Sequence, residues 1–197
     1  KLGAPLIVKV SSRDPEDPPM SYVAVSGGIH VDMTIHDFDM VRFLSGSDAE
    51  EVYAIGICSK EGYAEHDDVD NTIITIKFKN GAIGVIDNTR CSCYGYDQRT
   101  EVQCEKGSVG VTNDLENQAM ISTADGVEVA KPTWFFLERY NDAFIKEVNQ
   151  FCKVCLGEME VPVTGHDGLE PVLMAIAAKK SLKENRPVKL SEVDVEL

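Results

Sequence analysis

A chain of 197 residues, 43% hydrophobic and 26% charged, is long enough to bury about 70% of its unfolded surface around one core. Its formal net charge of −14 argues against nucleic acid and anionic membrane surfaces, which reward clustered Lys and Arg, and no run approaches the roughly 20 apolar residues of a membrane span. No signal or transit peptide pattern is visible, though a missing N-terminus would hide one, and a cytoplasmic protein with reduced, mostly packed thiols is expected.

Leu6 to Ser12 alternates apolar and polar residues as a half-buried strand does, and Asp14-Pro15-Glu16-Asp17-Pro18-Pro19 breaks it. Ser26 to Leu44, SGGIHVDMTIHDFDMVRFL, is the stretch richest in chemistry. Gly27-Gly28 lets backbone approach a ligand closely and leads into a helix expected from about Asp32 to Leu44. On that helix Asp32 and His36 stand four apart on one face, with Asp39 a turn further on, while Val31, Ile35, Phe38 and Val41 form the apolar face. A carboxylate beside an imidazole can move and stabilise a proton, although the same spacing also arises on faces that are merely solvated.

Strand-like runs follow, beginning with Val52 to Cys58. Thr72 to Phe78 (TIITIKF) is joined by Asn80-Gly81, read as a type I′ turn, to Ala82 to Asn88. Lys106-Gly107 joins Thr100 to Glu105 with Val109 to Thr112, and Asp125-Gly126 joins Met120 to Thr123 with Val127 to Ala130. Successive hairpins predict antiparallel pairing. Helices are expected from about Phe135 to Leu156 and from Asp167, as N-cap, to Glu184, with Pro187 as a stop. The fold class is therefore α+β: an open, mainly antiparallel sheet with helices packed on one face. Its other face, rich in Ile, Val and Cys, is expected to be covered by a second copy.

Metal readings are weak. Cys152-x-x-Cys155 falls inside an amphipathic helix rather than on the tight turns of a zinc ribbon, and His66 with Asp67, Asp68 and Asp70 has the composition of a solvated acidic loop. His30 is placed at the edge of a site around Asp32, and His166 just before a helix cap.

The run from Gly27 resembles the G-G-x-x-x-D-x-x-x-H-D-x-D signature of the glucose-fructose oxidoreductase and inositol dehydrogenase superfamily. Ser12-Arg13-Asp14-Pro15, Tyr94-Gly95-Tyr96-Asp97-Gln98-Arg99, Phe135 to Tyr140 (FFLERY), Val161 to Glu170 and Asn185 to Leu190 are similar to segments of its inositol dehydrogenases, so the resemblance covers nearly the whole chain in order. It implies a two-domain enzyme whose N-terminal Rossmann domain binds NAD or NADP and carries a catalytic lysine in an E-K-P motif. This sequence has no G-x-G-x-x-G after a strand, and Glu105-Lys106-Gly107 and Lys131-Pro132 only partly echo E-K-P. Residues 1–197 are accordingly expected to form one substrate-binding and oligomerisation domain, inactive alone.

Asp32 can hold the imidazole's orientation and stabilise its protonated form, or contact the substrate hydroxyl itself; the resemblance further implies that His36 and Asp32 act with the lysine of the other domain, His36 as the base, to oxidise a secondary alcohol of a cyclitol, myo-inositol in the leading reading, to a ketone. A glucose-type sugar is the alternative substrate, and a non-catalytic oligomerising sheet domain the alternative role. A ring of hydroxyls needs several hydrogen-bonding groups around one pocket; Arg13, Asp14, Tyr94 and Tyr96 are the candidates, with Asp97 and Arg99 of suitable type. Tyr94 and Tyr96 could equally pack on one sheet face, and Arg99 could pair with Asp97. The reaction needs no metal. A homodimer or homotetramer formed through the open sheet face completes the set of expectations.

Overall fold

A computed structural model of the protein describes residues 1–193; the last four positions of the expected 1–197 domain lie outside the described residues. In chain order the elements are β1 (Pro5–Arg13), α1 (Met20–Ser26), α2 (Ile29–Asp32), α3 (Thr34–Ser45), β2 (Ala49–Ile57), β3 (Asn71–Phe78), β4 (Ile83–Thr89), β5 (Asp97–Cys104), β6 (Gly107–Val111), β7 (Met120–Thr123), β8 (Gly126–Val129), α4 (Phe136–Arg139), α5 (Asn141–Cys155), α6 (Gly165–Glu184) and β9 (Val188–Lys189).

Period-2 patterning decides the sheet. In β3, Thr72, Ile74, Ile76 and Phe78 face inward while Ile73, Thr75 and Lys77 face out. The main sheet runs β6-β5-β1-β4-β3-β2-β9. All of its pairs are antiparallel except β1 with β4, which is parallel. The expected chain of neighbouring hairpins is interrupted because β1 inserts between β4 and β5, so the connection from Arg90 to Tyr96 must cross the end of β1. Ser92 N–H there donates to the Asp14 carbonyl, and Asp14 N–H to that of Thr89. The β7–β8 hairpin forms as expected but makes a separate two-stranded sheet.

The turn at Asn80-Gly81 is a further correction. Gly81 has φ +90° while Asn80 is not in the positive region that a type I′ turn demands. Gly81 N–H donates to the Phe78 carbonyl and Phe78 N–H to that of Ala82, the pattern of a three-residue loop closed by a bulge glycine.

The helices α3 and α6 cover one face of the sheet. Phe38 and Val41 from α3 and Met174, Ala175, Ala177 and Ala178 from α6 close over Val8, Val10, Val52, Ile74, Ile76, Phe78 and Ile86. The alanines let α6 lie close to the sheet, where Ser181 Oγ accepts from the Ala54 N–H at 3.0 Å. Its N-cap is Thr164 and not Asp167, which sits three residues on and completes a capping box.

The expected third covering helix does not join this layer. The segment from Phe135 breaks at Tyr140, and α5 beyond it has no buried residue; Phe144, Ile145, Val148 and Phe151 are exposed. Cys152 and Cys155 are exposed with it, as are Cys58 and Cys93, so of six free thiols only Cys104 is buried. The expectation of mostly packed cysteines fails because Cys152 and Cys155 lie on a helix off the core and Cys58 and Cys93 in exposed connections.

Candidate active site

The motif segment folds as two helices. Gly27 (φ +88°) caps α1 and Gly28 (φ +88°) opens α2, where a Cβ on Gly28 would sit 2.9 Å from Asp68 Oδ1. The close approach has a purpose: Asp68 Oδ1 accepts from the Ile29 N–H at 2.8 Å, capping the turn. After one turn α2 ends at Met33, which stays in the right-handed helical region (φ −105°, ψ −57°) with its N–H on the Ile29 carbonyl, and α3 begins at Thr34, whose Oγ1 reaches back to the same carbonyl at 3.2 Å.

The expected pair straddles this point, Asp32 at the end of α2 and His36 in the first turn of α3. Asp32 ends α2 and turns to two other partners: Arg90 Nη1 donates to its Oδ2 at 2.6 Å, and Tyr22 Oη to its Oδ1 at 2.5 Å. The Arg90 guanidinium is 3% exposed, and a buried cation is a stronger partner for a carboxylate than a neutral ring. His36 stands exposed on the first turn of α3, and among the described residues no hydrogen bond reaches its ring. Among the described residues the side-chain hydrogen bonds of Asp32 go to Arg90 and Tyr22 and none goes to the imidazole. Asp39 is exposed further along α3.

Asp14 and Tyr96 are brought to this side by the loop crossing the end of β1. Burial pushes the Asp14 carboxyl up to about 6, opposed by nearby Arg90 and reinforced by Asp32. The Tyr96 ring packs edge-on against Tyr140, with centroids 6.1 Å apart, and burial raises the hydroxyls of both above their ordinary range. Beneath His36, Asp37 is fully buried; burial lifts its carboxyl to about 7, against the Asn88 hydrogen bond that favours its charged form.

Arg13 and Tyr94 are not brought to Asp32 and His36. Strand alternation turns Ser12 inward and Arg13 to the uncovered face, where Arg13 Nη2 meets Asp87 Oδ2 at 2.5 Å and Nη1 meets Tyr94 Oη at 3.3 Å. Tyr94 Oη donates to Asp97 Oδ2 at 2.6 Å, and Arg99 Nε to Asp97 Oδ1 at 2.8 Å. The pairing of Arg99 with Asp97 is the outcome read as one of two options.

The remaining histidines and acids have local duties. His30 is buried against Thr72 Oγ1 (3.3 Å) with its ring pushed down to about 4 by burial. Asp70 accepts from the Ser59 N–H at 2.7 Å. Asp48, His166 and Glu170 come together, but Asp48 already takes Arg42 Nε at 2.9 Å and Lys79 Nζ at 3.3 Å, which opposes a cation there. Sequence reasoning missed Arg90, Tyr22, Asp37, Asn88 and Tyr140. Arg90 lies 58 positions from Asp32, and no local spacing signals such a pair; Tyr140 is the last residue of the FFLERY run and could have been singled out there.

The GFO/IDH/MocA C-terminal domain model matches residues 1–110. The myo-inositol 2-dehydrogenase of Thermotoga maritima is 44% identical over 193 residues, an alignment spanning 98% of this chain and 58% of that protein. The scyllo-inositol 2-dehydrogenase (NAD(+)) of Bacillus subtilis is 32% identical over 193 residues, 96% of this chain and 56% of that protein. The crystal structure of a probable dehydrogenase from Thermotoga maritima superposes with a TM-score of 0.94 at 44% identity, over 98% of this chain and 58% of that one. The chain thus spans between 56% and 58% of the length of these relatives. With more than half of its residues matched by the family model and an α+β fold of the same shape, the chain belongs to the GFO/IDH/MocA C-terminal domain family.

Proposed function

We propose that residues 1–197 are the substrate-binding half of a two-domain, NAD-dependent oxidoreductase that oxidises a secondary alcohol of a cyclitol, myo-inositol, to a ketone. The observation that carries this reading is an exposed imidazole, His36, with no hydrogen-bond partner among the described residues, four positions after an Asp32 carboxyl group that the buried Arg90 guanidinium hydrogen-bonds. His36 takes the proton from the reacting hydroxyl. Asp32, fixed by Arg90 and Tyr22, accepts a hydrogen bond from that hydroxyl or its neighbour rather than steering the ring. Asp14 and Tyr96 supply further polar contacts to the ring of hydroxyls.

NAD or NADP, when bound, accepts the hydride. The residues here fit its reactive end and not its phosphates: an open base stands where a nicotinamide could approach, but among the described residues no strand runs into a glycine-rich helix start able to cradle a pyrophosphate. The cofactor is therefore held mainly by another domain, and the chain alone is expected to be inactive. The names of the two inositol dehydrogenases support the substrate class; a glucose-type sugar is the competing substrate.

The polyol is met as one of two partners, the second being another copy of the chain. On the helix-free face, Ile55 pairs with Ile73 and Ile7 with Ile83, four side chains between 38% and 49% exposed. We place the dimer or tetramer contact there. Ile55→Lys should shift sedimentation toward the monomer, and an unchanged oligomer would move the contact elsewhere.

The function is tested in the full-length enzyme. His36→Ala should lower kcat by roughly 10²–10⁴-fold with NAD affinity nearly unchanged. Wild-type turnover of every polyol tried would leave the non-catalytic sheet domain as the better reading.

A further inference from the structure

One side-chain amide fastens the first turn of α3 to the sheet. Asn88 of β4, 1% exposed, accepts from Thr34 Oγ1 at 2.6 Å through its Oδ1. Its Nδ2 donates to Asp37 Oδ2 at 2.7 Å and to the Ser12 carbonyl at 3.3 Å. Ser12 is anchored in turn by Gln98, whose Nε2 donates to Ser12 Oγ at 2.7 Å. Two strands and a helix thus meet at one amide, with β5 joined to it through Ser12.

Thr34 and Asp37 are both buried and stand on either side of His36. The imidazole has no partner of its own among the described residues, so the helix turn alone sets the direction in which it leaves the backbone. Asn is well chosen for the anchor, because its two ends accept and donate and so define a single orientation. An Asp at the same place would set a second carboxylate against Asp37. A Leu would remove the amide link between Thr34 and Asp37, leaving the Thr34 hydroxyl only the Ile29 carbonyl and the buried Asp37 carboxyl without its Asn88 donor.

We infer that Asn88 is a positioning residue for His36, holding through Thr34 and Asp37 the turn from which the imidazole projects. The inference rests on His36 being the base of the proposed reaction. A base displaced by about 1 Å loses roughly two orders of magnitude in rate, even when the displaced anchor is remote from the chemistry.

The test uses the full-length enzyme with inositol and NAD. Asn88→Ala should lower kcat roughly 10- to 100-fold with KM within about twofold, since substrate contacts are untouched. Thr34→Val, which removes one hydroxyl at nearly constant volume, should give a smaller loss in the same sense. The Asn88→Ala, His36→Ala double variant should be no slower than His36→Ala alone, because an anchor has nothing left to position. Losses that multiply in the double variant would overturn the proposal. So would wild-type kcat in Asn88→Ala, or in Thr34→Val should Asn88→Ala fail to fold. If His36→Ala itself keeps its turnover, the base assignment has failed, and that result is read separately from any Asn88 measurement.

Discussion

The helices α5 and α6 both carry an apolar stripe, yet they end in opposite situations. In α6 the stripe is small, Ala175, Ala177 and Ala178 around Met174, and every one of these residues is fully buried. In α5 it is large, Phe144, Ile145, Val148 and Phe151, each between 43% and 67% exposed. Amphipathicity states that a helix has a face to bury; it does not state that the partner belongs to the same packed layer. Side-chain size is the better discriminator here, because a helix lying flat on a sheet beside α3 has room for alanines and not for a row of phenylalanines.

The sharpest way to break that contrast is to truncate one residue from each stripe. Met174→Ala in α6 should destabilise the chain by about 2–5 kcal/mol, the loss of a buried side chain plus the cavity it leaves. Phe151→Ala in α5, although it deletes more atoms, should stay within about 0.5 kcal/mol, since its side chain already faces water. Urea midpoints of the isolated chain measure both. Equal losses would mean that α5 is packed in solution.

A smaller effect separates the covered layer by charge. Burial raises Asp37 from an unfolded value near 3.8 to about 7. Between those values the unfolded chain has released a proton that the folded chain retains, so this group's contribution falls as pH rises and is constant above about 7. Asp14, raised to about 6, acts in the same sense, whereas His30, lowered to about 4, acts in the opposite sense between its folded and unfolded values. The difference between wild type and Asp37→Asn isolates the Asp37 contribution. The variant should gain on the wild type as pH rises from 4 to 7, by at most about 4 kcal/mol, and a difference independent of pH would show that Asp37 is ionised throughout.

Much of the sheet was legible because half-burial imposes a period of two: β1, β3 and the hairpins to β4, β6 and β8 lie within a few residues of where Leu6, Thr72, Gly81, Gly107 and Gly126 placed them. The insertion of β1 between β4 and β5 was not legible, since register among distant strands leaves no local pattern. The short α1 after the proline run was missed for a related reason, its one buried residue being Val23. At the site, the spacing of Asp32 and His36 drew attention to this segment but not to the Arg90 and Tyr22 that Asp32 binds. Asp32 hydrogen-bonds Arg90 and Tyr22, partners 58 and 10 positions away that the i, i+4 spacing does not signal. For Arg13 and Tyr94, strand alternation was available in the sequence, and applying it to Ser12-Arg13 would have sent the guanidinium to the open face.

The smallest expected effect lies at the helix starts. Thr164 caps α6 reciprocally: its Oγ1 accepts from the Asp167 N–H at 3.4 Å, while Asp167 Oδ2 accepts from the Thr164 N–H at 2.8 Å. Asp167 Oδ1 also takes Arg42 Nη1 from α3 at 2.8 Å, and these donors hold its carboxyl well below the ordinary range. By contrast α5 begins at Tyr140 with no side-chain cap. Thr164→Ala removes the acceptor and the hydroxyl's own bond to Asp167 Oδ2 at 2.7 Å and leaves both the backbone donor to Asp167 and the Arg42 contact in place, so the loss should be about 1 kcal/mol. Asp167→Ala deletes the reciprocal bond and the link to α3 together and should cost more than Thr164→Ala. Thermal melts of the two variants rank them, and the reverse order would mean that the Thr164 hydroxyl, rather than the carboxylate between the two helices, fastens α6 to the layer.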